Sequence, residues 1–311
     1  MFRTLIILVF ALLLAVAPSR AAELPSTDEI VVVGERPGPR LWRIEGPQGE
    51  VYVLGVLSPL PKSFTWKTKD IDAVIARADR VFTGGSTVSV GIGALIANRK
   101  AFRNPDGAKT SALLDPDTRR SFDAARSRYG YSGDDLENWR PYVAGLFLMD
   151  KAMTEAGLSR SLDPEAATLK KVRKRGVGVT VVTRIEAKPL LKALAAMPAG
   201  ADAPCLAAEL QALDAMPVMR ERALAWAKGD IDRLRALGDR DEGAACMNSL
   251  TSGGVAAATI RETLTVDWTR ALSNAAGQKG VTLAIAPMGV LLAADGVLAR
   301  LRAQGVQIDG P

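Results

Sequence analysis

The sequence contains no histidine. That removes the usual general base at neutral pH and the commonest nitrogen ligand for transition metals. Serine–histidine and cysteine–histidine nucleophilic pairs are excluded with it. Cysteine is almost as scarce, with only Cys205 and Cys246. Two thiols so far apart match no zinc spacing, and zinc takes about four ligands. Aromatics make up 5% of the chain, and no basic run is interleaved with them, which argues against nucleic acid. The five tryptophans (42, 66, 139, 226 and 268) are too dispersed for a stacking platform and read as packing positions. After the first twenty-odd residues there is no apolar run long enough to cross a bilayer.

Those first residues are a different matter. Arg3 precedes an apolar run from Leu5 to Ala17, and Ser19-Arg20-Ala21 sets small residues around a cleavage point. Residues 1–21 therefore read as a secretory signal peptide cut after Ala21, which places the mature chain in the periplasm or outside the cell. Removing Arg3 and Arg20 lowers the formal charge from +6 to about +4, too mild an excess to name a partner. In an exported chain the two cysteines read as a disulfide, Cys205 to Cys246. The densest basic run, Lys170 to Gly176, reads as the last turn of a helix, where cations suit the dipole. Residues 22–40 form a Pro/Gly linker around a short Val run. Within it DEIVVVGER, residues 28–36, resembles a TonB box, so a TonB-like partner is one reading; a plain tether or an extra edge strand is the blander one.

Residues 41–311 carry the fold. LWRIEG and EVYVLGVL are strands joined by a turn at PQG, and the second, apolar on both faces, is a central strand. A helix spans roughly Lys69 to Ala78, then DRVFTGG is a strand and VGIGALIANRKAF a helix weakened by Gly91 and Gly93. Asp115-Pro116, Pro141 and Asp163-Pro164 open three helices, the first stopped by Gly130 and the third by Gly176. Val177 to Thr183 is a strand, helices fill most of 188–239, and a long helix covers about 255–276. VTLAIAP, DGVLARLRAQG and VQI close the chain as strand, helix and strand. The expectation is an α/β domain with a modest mixed sheet built from N- and C-terminal strands around a largely helical middle section.

The stretches LWRIEGPQGEVYVLGVLSPLP, IDAVIARADRVF, AWAKGDIDRLRAL and LLAADGVLARLRAQGVQIDGP, in that order, resemble the TraB/GumN family, which is related to the Tiki metalloproteases. The resemblance implies a G-x-x-H after the first long strand, a Glu ending the next strand and a second G-x-x-H before the C-terminal helix. Together these would hold a divalent ion that activates water or a carbonyl. This sequence departs at each position. Ser58 stands for the first histidine, Gly84 for the glutamate and Val290 for the second histidine, with Pro287 in place of its glycine. A shift in register would put Met288 or Gly289 there instead of Val290, and neither supplies a metal ligand.

The reading is of a degenerate member: a non-catalytic pseudoenzyme with no metal and no cofactor, binding an unknown protein or envelope ligand. The alternative is a metal-dependent hydrolase or protease with a rearranged carboxylate site. Asp70, Asp72, Asp163, Glu165 and Glu186 are its candidate acids, and Glu186, beyond a strand end, is the first to test. Ser58 as a nucleophile would need a lysine or carboxylate base; Lys62 follows four residues on, but no S-x-x-K is present. Gly84-Gly85-Ser86 lacks the lysine of a phosphate loop and reads as a turn.

Overall fold

Alternation writes the first hairpin. In β1 (Leu41–Glu45) Trp42 and Ile44 point inward, and in β2 (Gly49–Val56) Val51 and Val53 lie on the same face. The two strands pair antiparallel, Leu41 opposite Leu54 and Glu45 opposite Glu50. The turn between them closes with the Gly46 amide donating to the Gly49 carbonyl at 2.9 Å. Gly46 packs so tightly on the Ala276 carbonyl that any Cβ there would collide with backbone.

The computed structural model describes residues 38–63, 65–84, 99–184, 192, 195–238 and 257–311. The expected leader, residues 28–36, most of the helix expected after Gly84, Glu186 and Cys246 lie outside the described residues. From Arg36 to Pro311 the chain gathers into one compact unit.

Strands β4 (Arg80–Thr83), β6 (Gly178–Val181), β7 (Gly280–Pro287) and β8 (Ile308–Asp309) join the hairpin in a six-stranded sheet of order β6-β4-β7-β2-β1-β8. The strands β6, β4, β7 and β2 run parallel, while β1 is antiparallel to both its neighbours. The sheet is mixed, as expected, and β2 is central, between β7 and β1. A separate two-stranded ladder pairs β3 (Leu60–Pro61) with β5 (Leu158–Ser159).

Each face of the sheet is covered, which is why β2 and β7 are apolar on both sides. On one face Trp42, Val51, Val53, Ala284 and Ala286 pack into a core with α6 (Met216–Lys228), α7 (Ile231–Leu237), α8 (Ala257–Ala276), α9 (Met288–Leu292) and α10 (Val297–Ala303). On the other face Leu54, Val81, Leu283 and Ile285 meet α1 (Lys69–Arg77) and α4 (Pro164–Arg175). Beyond the sheet, α2 (Pro116–Arg128), α3 (Pro141–Glu155) and α5 (Ala203–Ala212) build a second, helical core around Phe122, Leu148, Met149 and Leu206. Gly145 lets α3 approach α5, since a Cβ there would stand 3.1 Å from Glu209 Cβ.

The helix ends follow local chemistry. Asp115 accepts from the Asp117 and Thr118 amides at 3.0 Å, and Asp163 from Ala166 at 3.1 Å, each just before a first-turn proline. Gly176 closes α4 in the left-handed region at φ 77°. Residues 99–113 are short 3-10 turns. Among the described residues no helix is long and apolar enough to cross a membrane.

Candidate functional site at the strand ends

In an open α/β sheet the carboxyl ends of the parallel strands are where ligands bind. Here those ends are Val56, Thr83, Val181 and Pro287. Ser58, Gly84 and Val290 each fall within three residues of one of them, so the three positions singled out from sequence share one edge of the sheet.

What lines that edge is largely apolar. A Cβ on Gly55 would lie 2.5 Å from Met288 Cε and 2.8 Å from its sulfur, so the thioether rests on the glycine. Gly84 is buried against Pro287, whose Cδ would be 3.3 Å from a Cβ at position 84, and against Trp268. Val290 is buried in the same core as Met288 and Leu291. Trp226 donates from Nε1 to the Gly55 carbonyl at 2.7 Å and meets Trp66 at 5.4 Å in a tilted pair. Ser58 itself is exposed, and its peptide bond to Pro59 is cis. Lys62, the base considered for Ser58, reaches instead to the Thr154 carbonyl at 3.4 Å.

Two carboxylates stand near the ends of β4 and β6, and both answer to threonines. Glu165, in the buried first turn of α4, accepts from Thr83 Oγ1. Asp267, on α8, accepts from Thr183 Oγ1 at 3.0 Å and pairs with Arg270. Sequence reasoning noted Glu165 as an acid near an element end but missed Asp267, which in sequence is one polar residue inside a long helix. Of the other candidate acids, Asp72 is exposed and bound to Lys171 at 2.7 Å and to Thr68, tying α1 to α4. Burial alone would push its carboxyl up; the Lys171 and Thr68 bonds outweigh that and hold it below the usual range. Asp70 is exposed and Asp163 is a cap. Glu186 lies outside the described residues.

The family resemblance implies a divalent ion at this edge. Among the described residues no three acidic or thiol side chains come together to hold one. A hydroxyl, a hydrogen and an isopropyl group at positions 58, 84 and 290 do not fit the donor set such an ion requires.

The edge belongs to an α/β protein whose parallel strands end in a hollow packed with a thioether, a proline and indole rings. Residues 40–309 match the family model described as TraB/PrgY/gumN family. The chain belongs to the TraB/PrgY/gumN family. Neither a curated protein nor a solved structure matches it.

Proposed function

We propose that this protein is a non-catalytic member of its family, acting as a binding or accessory module of the cell envelope. The observation that supports this most is the packing of Met288 onto Gly55 and of Pro287 onto Gly84, where the resemblance calls for a metal ligand set. Side chains that fill a hollow with carbon and sulfur leave nothing to hold or activate water. The test is metal analysis of the purified chain together with a protease and esterase screen in added zinc, manganese or magnesium. Neither stoichiometric metal nor hydrolysis is expected; both together refute the reading.

A second reading, a metal-dependent hydrolase with a rearranged carboxylate site, is favoured by one observation: Glu165 and Asp267 are both held by threonines near strand ends. If that reading holds, hydrolysis appears in the screen and Glu165→Gln abolishes it.

Export accounts for the leader and for the proposed pairing of Cys205 with Cys246. Cleavage after Ala21 gives a mature protein whose intact mass starts at Ala22. A TonB-like partner would dock on residues 28–36 by strand addition. Deleting those nine residues without changing the proteins captured from envelope extracts removes that partner.

A further inference from the structure

The two outer edges of the sheet are finished differently. On one side β8 offers only two residues, Ile308 and the acidic Asp309, with Gly310-Pro311 directly after. A short strand, a charge and a proline are what blunts a sheet edge against further pairing. On the other side β6 is Gly178, Val179, Thr180 and Val181, with no charge and no proline. One bond fixes which way this strand faces. The Val182 amide donates to the Thr83 carbonyl at 2.9 Å, in register with the parallel pairing to β4. Backbone groups alternate from side to side along a strand, so Thr180 turns to β4 as Val182 does. The N–H and C=O groups of Val179 and Val181 therefore turn outward, and among the described residues none pairs with them. The edge is open as well as unpaired. Gly178, Val179 and Thr180 are exposed, Val179 to 39%, and a Cβ on Gly178 would meet nothing within 4 Å.

Cations frame this edge at both ends. Arg173 and Lys174 stand exposed in the last turn of α4, a few residues before β6 begins, and Arg184 is exposed three residues after it ends. Their neighbours Lys171 and Arg175 are spent on Asp72 and on the Ala78 carbonyl. Arg173, Lys174 and Arg184 have no acidic partner among the described residues. From Ala166 to Arg184 the sequence holds six basic residues and no acid, so nothing local neutralises them.

We propose that β6 is a docking edge for an extended, acidic segment of a partner protein, which joins the sheet as an added strand. The partner's main chain pairs with the outward groups of Val179 and Val181, and a β-branched side chain packs beside Val179. Its acids fall next to Arg173 and Lys174 at one end and Arg184 at the other. A second copy of the chain is a poor occupant, because edge-to-edge pairing in either direction sets cations against cations at both ends. The inference stands on the sheet edge alone and holds whether or not the strand-end hollow is catalytic.

The test uses the full chain and the fluorescence anisotropy of a labelled peptide, EDTVTVTDE. Saturable binding that weakens with added salt is expected. The decisive control is the same peptide N-methylated along its five central residues, which keeps every charge and removes the main-chain donors. Each main-chain hydrogen bond lost weakens binding up to about tenfold, so the methylated peptide should bind at least tenfold more weakly. Val179→Pro removes an outward N–H and leaves the ladder to β4 intact; with folding checked by circular dichroism, it should weaken binding about tenfold. Arg173→Gln with Lys174→Gln should weaken it and reduce its salt dependence. No saturable binding, or equal binding of the methylated peptide, overturns the proposal; equal binding shows attraction by charge alone. A chain that dimerises without peptide, and is made monomeric by Val179→Pro, overturns it in favour of a second copy.

Discussion

Replacing Gly55 by alanine tests whether the strand-end hollow is filled as described. The new methyl would lie 2.5 Å from Met288 Cε and 2.8 Å from its sulfur, with Trp42 at 3.1 Å. Gly55 lies in β2 without a positive φ, so alanine suits the backbone and the whole penalty is steric. A methyl buried without conflict would contribute about 0.8 kcal/mol. Forcing Met288 from its seat in a closed core reverses the sign, to a net loss of about 1–3 kcal/mol. Met288→Ala alone, at a side chain 3% exposed, opens a cavity and costs about 2–5 kcal/mol. In the double variant the alanine methyl at 55 enters the space that Met288 has left. The two losses therefore do not add, and the double variant should be no less stable than Met288→Ala alone. Urea unfolding followed by tryptophan fluorescence measures all three variants against the parent. The expected coupling is about 1–3 kcal/mol in favour of the double variant. Additivity within about 0.5 kcal/mol would show that Met288 does not occupy the space over Gly55, and the apolar hollow would lose its main support.

Glu209, on α5, is buried against Gly145 of α3; desolvation pushes its carboxyl above the usual range, with Arg160 pulling the other way. A carboxyl whose folded pKa is raised binds its proton more tightly in the native state, so its stabilisation is present at low pH and lost as pH rises through the window between the ordinary and the raised value. Glu209→Gln should flatten the stability curve in that window and gain on the order of 1 kcal/mol at neutral pH, read by urea titrations at several pH values. Reducing the proposed Cys205–Cys246 bond should cost on the order of 4 kcal/mol by the chain-entropy argument for a loop of about forty residues; thiol counting in denaturant, with and without reductant, checks that it exists. Asp163→Ala removes the cap bond to the Ala166 amide and should cost about 1 kcal/mol, while Asp163→Asn should restore most of it.

The elements most open to reading were those with local signals. Asp163-Pro164 and Gly176 bracket α4, and the helix observed, Pro164–Arg175, fills the interval between them. VTLAIAP, apolar at successive positions, became β7 with both faces buried. Ser58, Gly84 and Val290 could be aligned on one edge because each follows a strand and the strands are parallel. Contacts made in three dimensions were not legible. Nothing in sequence says that Met288 will lie on Gly55, or that Asp267 will face Thr183. The turns at 99–113 have no hydrophobic period to announce them, and Arg140, ahead of a first-turn proline, looks like any helix entry. Its guanidinium is met by distant residues, the Met197 carbonyl and Asp202, which no local pattern announces.

The placement of β7 between β2 and β4 has a consequence for the order of events during folding. Gly49–Val56 finds its parallel partner only in Gly280–Pro287, more than two hundred residues later. Until the last few dozen residues have been made, both flanks of the hairpin are bare and the strand ending at Thr83 has no neighbour on the side that faces it. Assembly is thus governed by a late, long-range closure, slow by comparison with local helix formation, and a chain cut short near its end loses the middle of its sheet and not merely a tail.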